Sequence, residues 1–227
     1  MSDTTAPGGP AAKATNKDIY ETVLADGHLF GALTGRDFNR FEDTARFVRK
    51  DATSILDVGC FCGEWLNYVT GHLPRLKNHL GVDVAANKIA EAARRFPHLN
   101  LRACFAEELE AGEDSYDTVT CLEVLEHIPD WLSVFHSLFR FARKQVLITV
   151  PFNENIREMV CIHCAKPTPM WGHLRSYTAA TFPDVPGWRK TWTKIKDRNP
   201  AWPFPVKVYR LMKPNYPWML VSYERDV

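Results

Sequence analysis

The sequence predicts an α/β fold: one domain with a mostly parallel sheet and helices on both faces. Three observations predict it. Short β-branched and aliphatic runs alternate with helix-period stretches along most of the chain. Two runs, Ile55-Leu56-Asp57-Val58 and His79-Leu80-Gly81-Val82-Asp83-Val84, carry an acid at or near their ends, one strand–helix–strand unit apart. The first run is followed by a loop, Gly59-Cys60-Phe61-Cys62-Gly63, and then by helix-like spacing in Trp65, Leu66, Tyr68 and Val69.

Size and composition set the bounds. A chain of 227 residues, 45% hydrophobic and 24% charged, suits a single domain with one core. A net charge of +1 gives no global case for nucleic-acid or membrane binding. No apolar run reaches the ~20 residues of a spanning helix, and the N-terminus has no apolar core of the signal-peptide kind. Four of the six cysteines (Cys60, Cys62, Cys104 and Cys121) fall in or beside strands or the loop. Reduced thiols and a cytoplasmic location follow.

In chain order, residues 1–15 are rich in Ala, Thr, Gly and Pro and read as a disordered tail. From Asp18 the pattern is helical, with Ile19, Val23 and Leu24 on one face. A Gly-containing loop at 26–36 carries His28. A second helix is expected over Asp37–Lys50, burying Phe38, Phe41, Ala45 and Val48. After the Asp57 and Asp83 strands come a helix at 86–96, a strand at Leu99–Phe105 and a strand at Tyr116–Leu122. A helix at Asp130–Arg143 and a strand at Gln145–Val150, stopped by Pro151, follow. Residues 186–217 hold six prolines, which predicts an irregular connection, and Trp218–Tyr223 suits a final strand.

The loop is not a phosphate cradle of the G-x-x-x-x-G-K-[ST] type, because no Lys follows. It also lacks the second Gly of G-x-G-x-x-G. Asp57-x-Gly59-Cys60-x-x-Gly63, Asp83, Ala106-Glu107-Glu108-Leu109, and Tyr116-Asp117-Thr118-Val119 followed by Leu125-Glu126-His127 together resemble the motifs of class I S-adenosylmethionine-dependent methyltransferases of the small-molecule type. The resemblance covers about residues 50 to 180. It implies a single Rossmann-like domain, with a seven-stranded sheet whose last strand is antiparallel. It makes 16–50 cover helices and 51–227 the methyltransferase domain, with a substrate-side insertion at 151–177.

The resemblance also assigns roles. Asp57, Gly59, Cys60 and Gly63 would frame the methionine end of S-adenosylmethionine, which leaves as S-adenosylhomocysteine. Asp83 would hold the ribose hydroxyls and Val84 would touch adenine. Ala106 would offer its N–H to the ring with Glu107 nearby, and Leu122 and Glu123 would line the cofactor's inner side. Two departures stand out. Phe105 occupies a place where many members carry an Asp for the adenine amino group. Cys60-Phe61-Cys62 replaces small residues in the loop.

A sulfonium methyl is already electrophilic, so alignment of the nucleophile is the main task, with a general base adding rate for a hydroxyl. His127 and His173 are the candidate catalytic bases, both on the carboxyl side of the sheet. A structural His127 capping the next helix is the bland alternative. His173, Arg175 and Tyr177 sit in a segment resembling the substrate-facing loop of small-molecule methyltransferases.

Two metal readings arise. Glu123-Val124-Leu125-Glu126-His127 resembles the metal motif of small-RNA 2′-O-methyltransferases, and a related run occurs in ubiquinone-pathway O-methyltransferases. With His173 it could hold Mg²⁺. Cys161-Ile162-His163-Cys164 looks like half of a zinc site, with reduced thiols as the alternative.

The expected function is methyl transfer to a hydroxyl or amine of a small molecule or glycan. One rival is an RNA methyltransferase using residues 187–214, where eight basic residues face one acid among interleaved aromatics. The other is a non-catalytic cofactor-binding partner subunit.

Overall fold

The computed structural model describes residues 35–109, 112, 115–160, 165–198 and 202–225. The tail at 1–15, the helix from Asp18, the His28 loop up to residue 34, and Cys161 and Cys164 with the zinc reading they carry lie outside the described residues.

The chain folds as α1 (Gly35–Phe47), β1 (Ser54–Val58), α2 (Glu64–His72), β2 (Asn78–Asp83), α3 (Ala86–Arg95), β3 (Leu101–Ala103) and β4 (Tyr116–Leu122). Then come α4 (Trp131–Phe141), β5 (Ala142–Pro151), β6 (Glu158–Val160), β7 (Pro167–Pro169), β8 (Arg189–Ile195), α5 (Phe204–Met212) and β9 (Trp218–Glu224). Seven strands form one sheet in the order β3-β2-β1-β4-β5-β9-β8. The β1, β2, β3, β4 and β5 pairings are parallel, and β9 runs antiparallel to both β5 and β8. This is the expected α/β architecture. The small antiparallel pair β6–β7 forms a separate sheet between β5 and β8 in the chain.

The central strands β1, β4, β5 and β9 are buried on both faces, as strands covered by helices on either side require. Leu56, Val58, Val119, Cys121 and Ile148 face a core that α4 closes with Phe135, Leu138 and Phe141. Ile55, Leu147 and Leu220 face a second core closed by Phe41 and Val48 near α1 and by Trp65, Leu66 and Val69 of α2. Burial of these side chains at about 25 cal/mol per Å² is the main term holding helices to sheet.

Because β1, β2, β4 and β5 are parallel, their carboxyl ends share one edge, where ligands bind in open α/β sheets. The register Pro151↔Trp218 and Ile195↔Trp218 brings the β8–β9 connection to that same edge. At the opposite, amino edge, the fully buried Gln145 anchors the end of α1: its Nε2 donates to Phe47 O at 2.8 Å and its Oε1 accepts from Arg49 N–H at 3.1 Å.

Three local expectations are corrected. Phe38 is not on the buried side but 47% exposed. The 186–217 connection is not irregular throughout: it contains β8, paired along its whole length with β9, and α5, whose prolines sit at its first turn where no intrahelical N–H is lost. The third strand shrinks to three residues at the sheet edge. No helix among the described residues is long and apolar enough to cross a membrane.

Candidate active site

The loop after β1 is built from backbone that turns left-handed three times, at Gly59 (φ 77), Phe61 (φ 49) and Gly63 (φ 77). Gly63 caps α2. The N–H groups of Gly59 and Cys60 both donate to Val82 O, at 2.8 and 2.9 Å, which staples the loop to the neighbouring strand. Asp83 completes the staple. Its Oδ2 accepts from Phe61 N–H and its Oδ1 from Ala85 N–H, each at 2.9 Å. Each oxygen keeps a second lone pair, so two vicinal hydroxyls can still donate to it. Cys60 and Cys62 point inward and are buried, and burial pushes both thiols up, Cys62 to about 11. They pack; they are not exposed nucleophiles.

Gly59 is required twice over. A Cβ there would meet Val124 Cγ2 well inside van der Waals contact, and φ is positive. Gly59→Ala is expected to cost about 2–4 kcal/mol and lower Tm by roughly 5–15 °C. Gly59→Ala with Val124→Ala should recover part of the loss, and a thermal melt of the three variants checks it. A melt of Gly59→Ala matching the wild type would show that the loop can re-form.

Asp57 lies beneath this loop. Thr120 Oγ1 donates to its Oδ1 at 2.7 Å, and Trp65 Nε1–H donates to Thr120 at 3.2 Å. Full burial raises the Asp57 carboxyl to about 7 despite that hydrogen bond, with Asp83 adding to the rise and Arg40 opposing it.

Sequence reasoning missed Arg40. Its Nη1 sits 3.6 Å from Glu123 Oε1, and its guanidinium lies against the Phe41 and Trp218 rings. Its Nε and Nη1 are buried with no hydrogen-bond partner. The signal was available: 40, 44 and 48 are spaced by four, and Thr44 and Val48 are buried. A cation whose Nε and Nη1 make no hydrogen bond, close enough to Asp57 to oppose its rise, fits a zwitterion, whose ammonium would meet the acid and whose carboxylate would meet the guanidinium.

A second group lies past β4. Glu126, His127 and His173 each offer a ligand atom, all within 4.8 Å of one another. The two imidazole rings meet edge to face at 4.9 Å. Glu126 is fully buried, and neither of its carboxylate oxygens has a hydrogen-bond partner. Burial, then the nearby Glu123 carboxylate, pushes its carboxyl well above the ordinary range. Burial, with His173 adding, lowers His127 to about 4, so its ring is neutral at pH 7. His173 Nδ1 lies 2.6 Å from Glu154 Oε2. A carboxylate only accepts, so Nδ1–H donates in this contact and Nε2 is the ring nitrogen it leaves over. Two buried carboxylate oxygens without a hydrogen-bond partner, beside two imidazoles, make a donor set that fits a divalent cation. Glu123 is not in this group, because it faces Arg40.

The segment 173–177 holds the group together. Arg175 Nη1 donates to Leu125 O at 3.0 Å and also to Ile128 O, and Nη2 donates to Pro129 O at 2.8 Å. Leu174 N–H donates to Glu126 O at 2.8 Å. Arg175 is therefore a clasp on the 125–129 turn, and Tyr177 is fully buried, so neither faces a substrate as expected from sequence. The N-cap of α4 is Asp130, which accepts from Ser133 N–H, so His127 does not cap that helix.

The remaining expected positions line the same carboxyl edge. Val84 follows Asp83, Leu122 ends β4, and Ala106 is buried in a 3₁₀ turn after β3 with Glu107 exposed beside it. Phe105 is 40% exposed at the mouth of that turn, with its N–H held by Glu108.

Residues 29–192 match the family described as "Methyltransferase domain". A ubiquinone biosynthesis O-methyltransferase of Hydrogenovibrio crunogenus is 34% identical over 116 residues, which is 48% of this chain and 46% of that protein. The chain thus spans about half the length of that curated relative. Among solved structures, the plantazolicin methyltransferase BpumL, crystallised with a pentazolic desmethylPZN analogue and S-adenosylhomocysteine, is 13% identical with a TM-score of 0.63. That alignment covers 93% of this chain and 92% of BpumL. An S-adenosylmethionine-dependent methyltransferase of Mesorhizobium loti is 14% identical with a TM-score of 0.58, over 82% of this chain and 98% of that one. At these identities the two structures share the fold.

Proposed function

The chain belongs to the methyltransferase-domain family, and on that premise we propose that it moves a methyl group from S-adenosylmethionine to a hydroxyl of a small molecule, with a divalent cation at Glu126, His127 and His173. One observation carries the choice of hydroxyl: the buried Glu126 carboxylate, unpartnered, beside two imidazoles. An amine needs no such group, since its neutral form is already nucleophilic. A hydroxyl has a high pKa and gains from coordination. The ubiquinone-pathway relative, named an O-methyltransferase, supports the same reading.

In this reading Arg40 and Asp57 receive the carboxylate and ammonium of the cofactor's methionine end. Asp83 accepts from the ribose hydroxyls. Ala106 N–H and the exposed Phe105 ring take the adenine, the ring face substituting for the missing acid. The cation would lower the pKa of a coordinated hydroxyl and fix its direction. Glu154 orients His173 through Nδ1, and Arg175 keeps the 125–129 turn in place, so the acceptor is held in line with the sulfonium–methyl bond. His127, with its lowered basicity, serves here as a ligand and not as a strong base.

The test is transfer of labelled methyl from S-adenosylmethionine into a fractionated extract and into simple vicinal diols, with chelator and with added Mg²⁺ or Mn²⁺. Label in the small-molecule fraction, lost with chelator and restored by metal, is the expected result. Chelator-insensitive transfer overturns the cation. Label in an RNase-sensitive fraction replaces the small-molecule acceptor with RNA.

A further inference from the structure

Helix α5 is turned inside out. Phe204, Val208, Leu211 and Met212 share one face, at spacings of four, seven and eight. Every residue of the helix but Arg210 is exposed, and three of this face are the most open of its large apolar side chains: Phe204 78%, Leu211 72% and Met212 80%. The least exposed side chain of the helix is a charged one, Arg210, which lies over the Trp202 ring at 5.5 Å. A helix on a protein in water normally does the reverse, burying its apolar stripe and presenting its charges.

Charge and position say what covers this face. From Trp202 to Pro217 the chain carries Lys207, Arg210 and Lys213 and no acid. The helix lies in the β8–β9 connection, which leaves and re-enters the sheet at Ile195 and Trp218. That is the carboxyl edge of the sheet, where the Asp57, Asp83 and Glu126 groups also lie. Trp171, 60% exposed, belongs to the other insertion on this edge. A second copy meeting this face about a two-fold axis would bring Lys207 and Lys213 toward their own counterparts with no acid between them. Single-stranded nucleic acid stacks on aromatic faces, whereas the tips presented here are mostly aliphatic.

We propose that α5 is an interfacial helix that seats on an anionic lipid surface, holding the site-bearing edge of the sheet toward the lipid. Apolar side chains enter the acyl boundary while Lys207 and Lys213 meet the headgroups, the arrangement of short membrane-surface helices. The enzyme could then meet an acceptor that resides in the bilayer. The inference stands on α5 alone and does not depend on the acceptor chemistry proposed above.

The experiment is co-sedimentation of the full chain with phosphatidylcholine vesicles, with and without phosphatidylglycerol. The chain is expected to partition onto the anionic vesicles. Leu211→Glu with Met212→Glu should cut that partition by roughly tenfold or more. Lys207→Gln and Lys213→Gln should each cut it about fivefold on anionic vesicles only. Affinity for S-adenosylhomocysteine, unchanged in all variants, reports that the fold is intact. No partition, or partition indifferent to the Leu211/Met212 change, overturns the proposal. So does a dimer in sedimentation velocity that the same change splits, since a second copy would then own the face.

Discussion

Glu126→Gln is expected to lower methyl transfer by roughly 10²–10⁴-fold, the range for losing a group that acts on the proton of the nucleophile, while making the metal-free protein more stable. The two effects have one cause. A carboxylate that is fully buried with both oxygens unpartnered is costly unless it is protonated or bound to a cation. The sign follows from proton counting. The carboxyl of the folded state is raised above the ordinary 4.5, so the native protein binds more protons than the unfolded chain from about that pH upward. Stability therefore falls as pH rises through the window, and the amide removes that slope. Thermal melts between pH 5 and 8 should show the two proteins diverging as pH rises, with the variant higher by several degrees. Added Mn²⁺ should raise the wild-type Tm and leave the variant unmoved. Equal melts across the range, or full turnover in the variant, would remove Glu126 from the site.

Asp83→Ala should weaken S-adenosylhomocysteine binding by roughly 10²–10⁴-fold, the loss of two hydrogen bonds to a charged acceptor at about 1.5–3 kcal/mol each. Part of that loss is local, because Asp83 also holds Phe61 N–H and Ala85 N–H. Arg40→Ala separates the ends of the ligand. It should weaken S-adenosylhomocysteine by about 10–100-fold, one charged hydrogen-bond pair. Methylthioadenosine, which lacks the amino-acid end, should bind Arg40→Ala as it binds the wild type. Calorimetry on both ligands decides. An Asp83→Ala protein with intact affinity would sink the ribose assignment, and equal losses for both ligands in Arg40→Ala would mean that Arg40 only braces α1.

Strands buried on both faces were readable because they are continuous apolar runs: Tyr116–Leu122 was placed to the residue, and the acids at the ends of β1 and β2 marked the ligand edge. The helix α5 was hidden by its prolines, which read as breakers although they occupy a first turn. Arg40 was hidden by its charge, since a search for an apolar stripe passes over a buried cation. The Glu126–His127–His173 group was only half readable. Both histidines were visible, but they lie 46 positions apart in the chain, and the Arg175 clasp that joins their segments uses backbone carbonyls, which carry no residue signature. For the same reason Arg175 and Tyr177 looked like substrate contacts from sequence.

The clasp also sets how this molecule comes apart. Arg175 and Leu174 tie the segment beyond the β6–β7 pair to the turn after β4, through hydrogen bonds that span almost 50 residues of sequence. The turn after β4 in turn presses Val124 against Gly59. The turn after β4 and the loop after β1 are thus joined through packed contacts, an arrangement that favours opening as one cooperative unit over opening as independent loops. A ligand that closes either half lends its binding free energy to the order of the other, with no change of shape required.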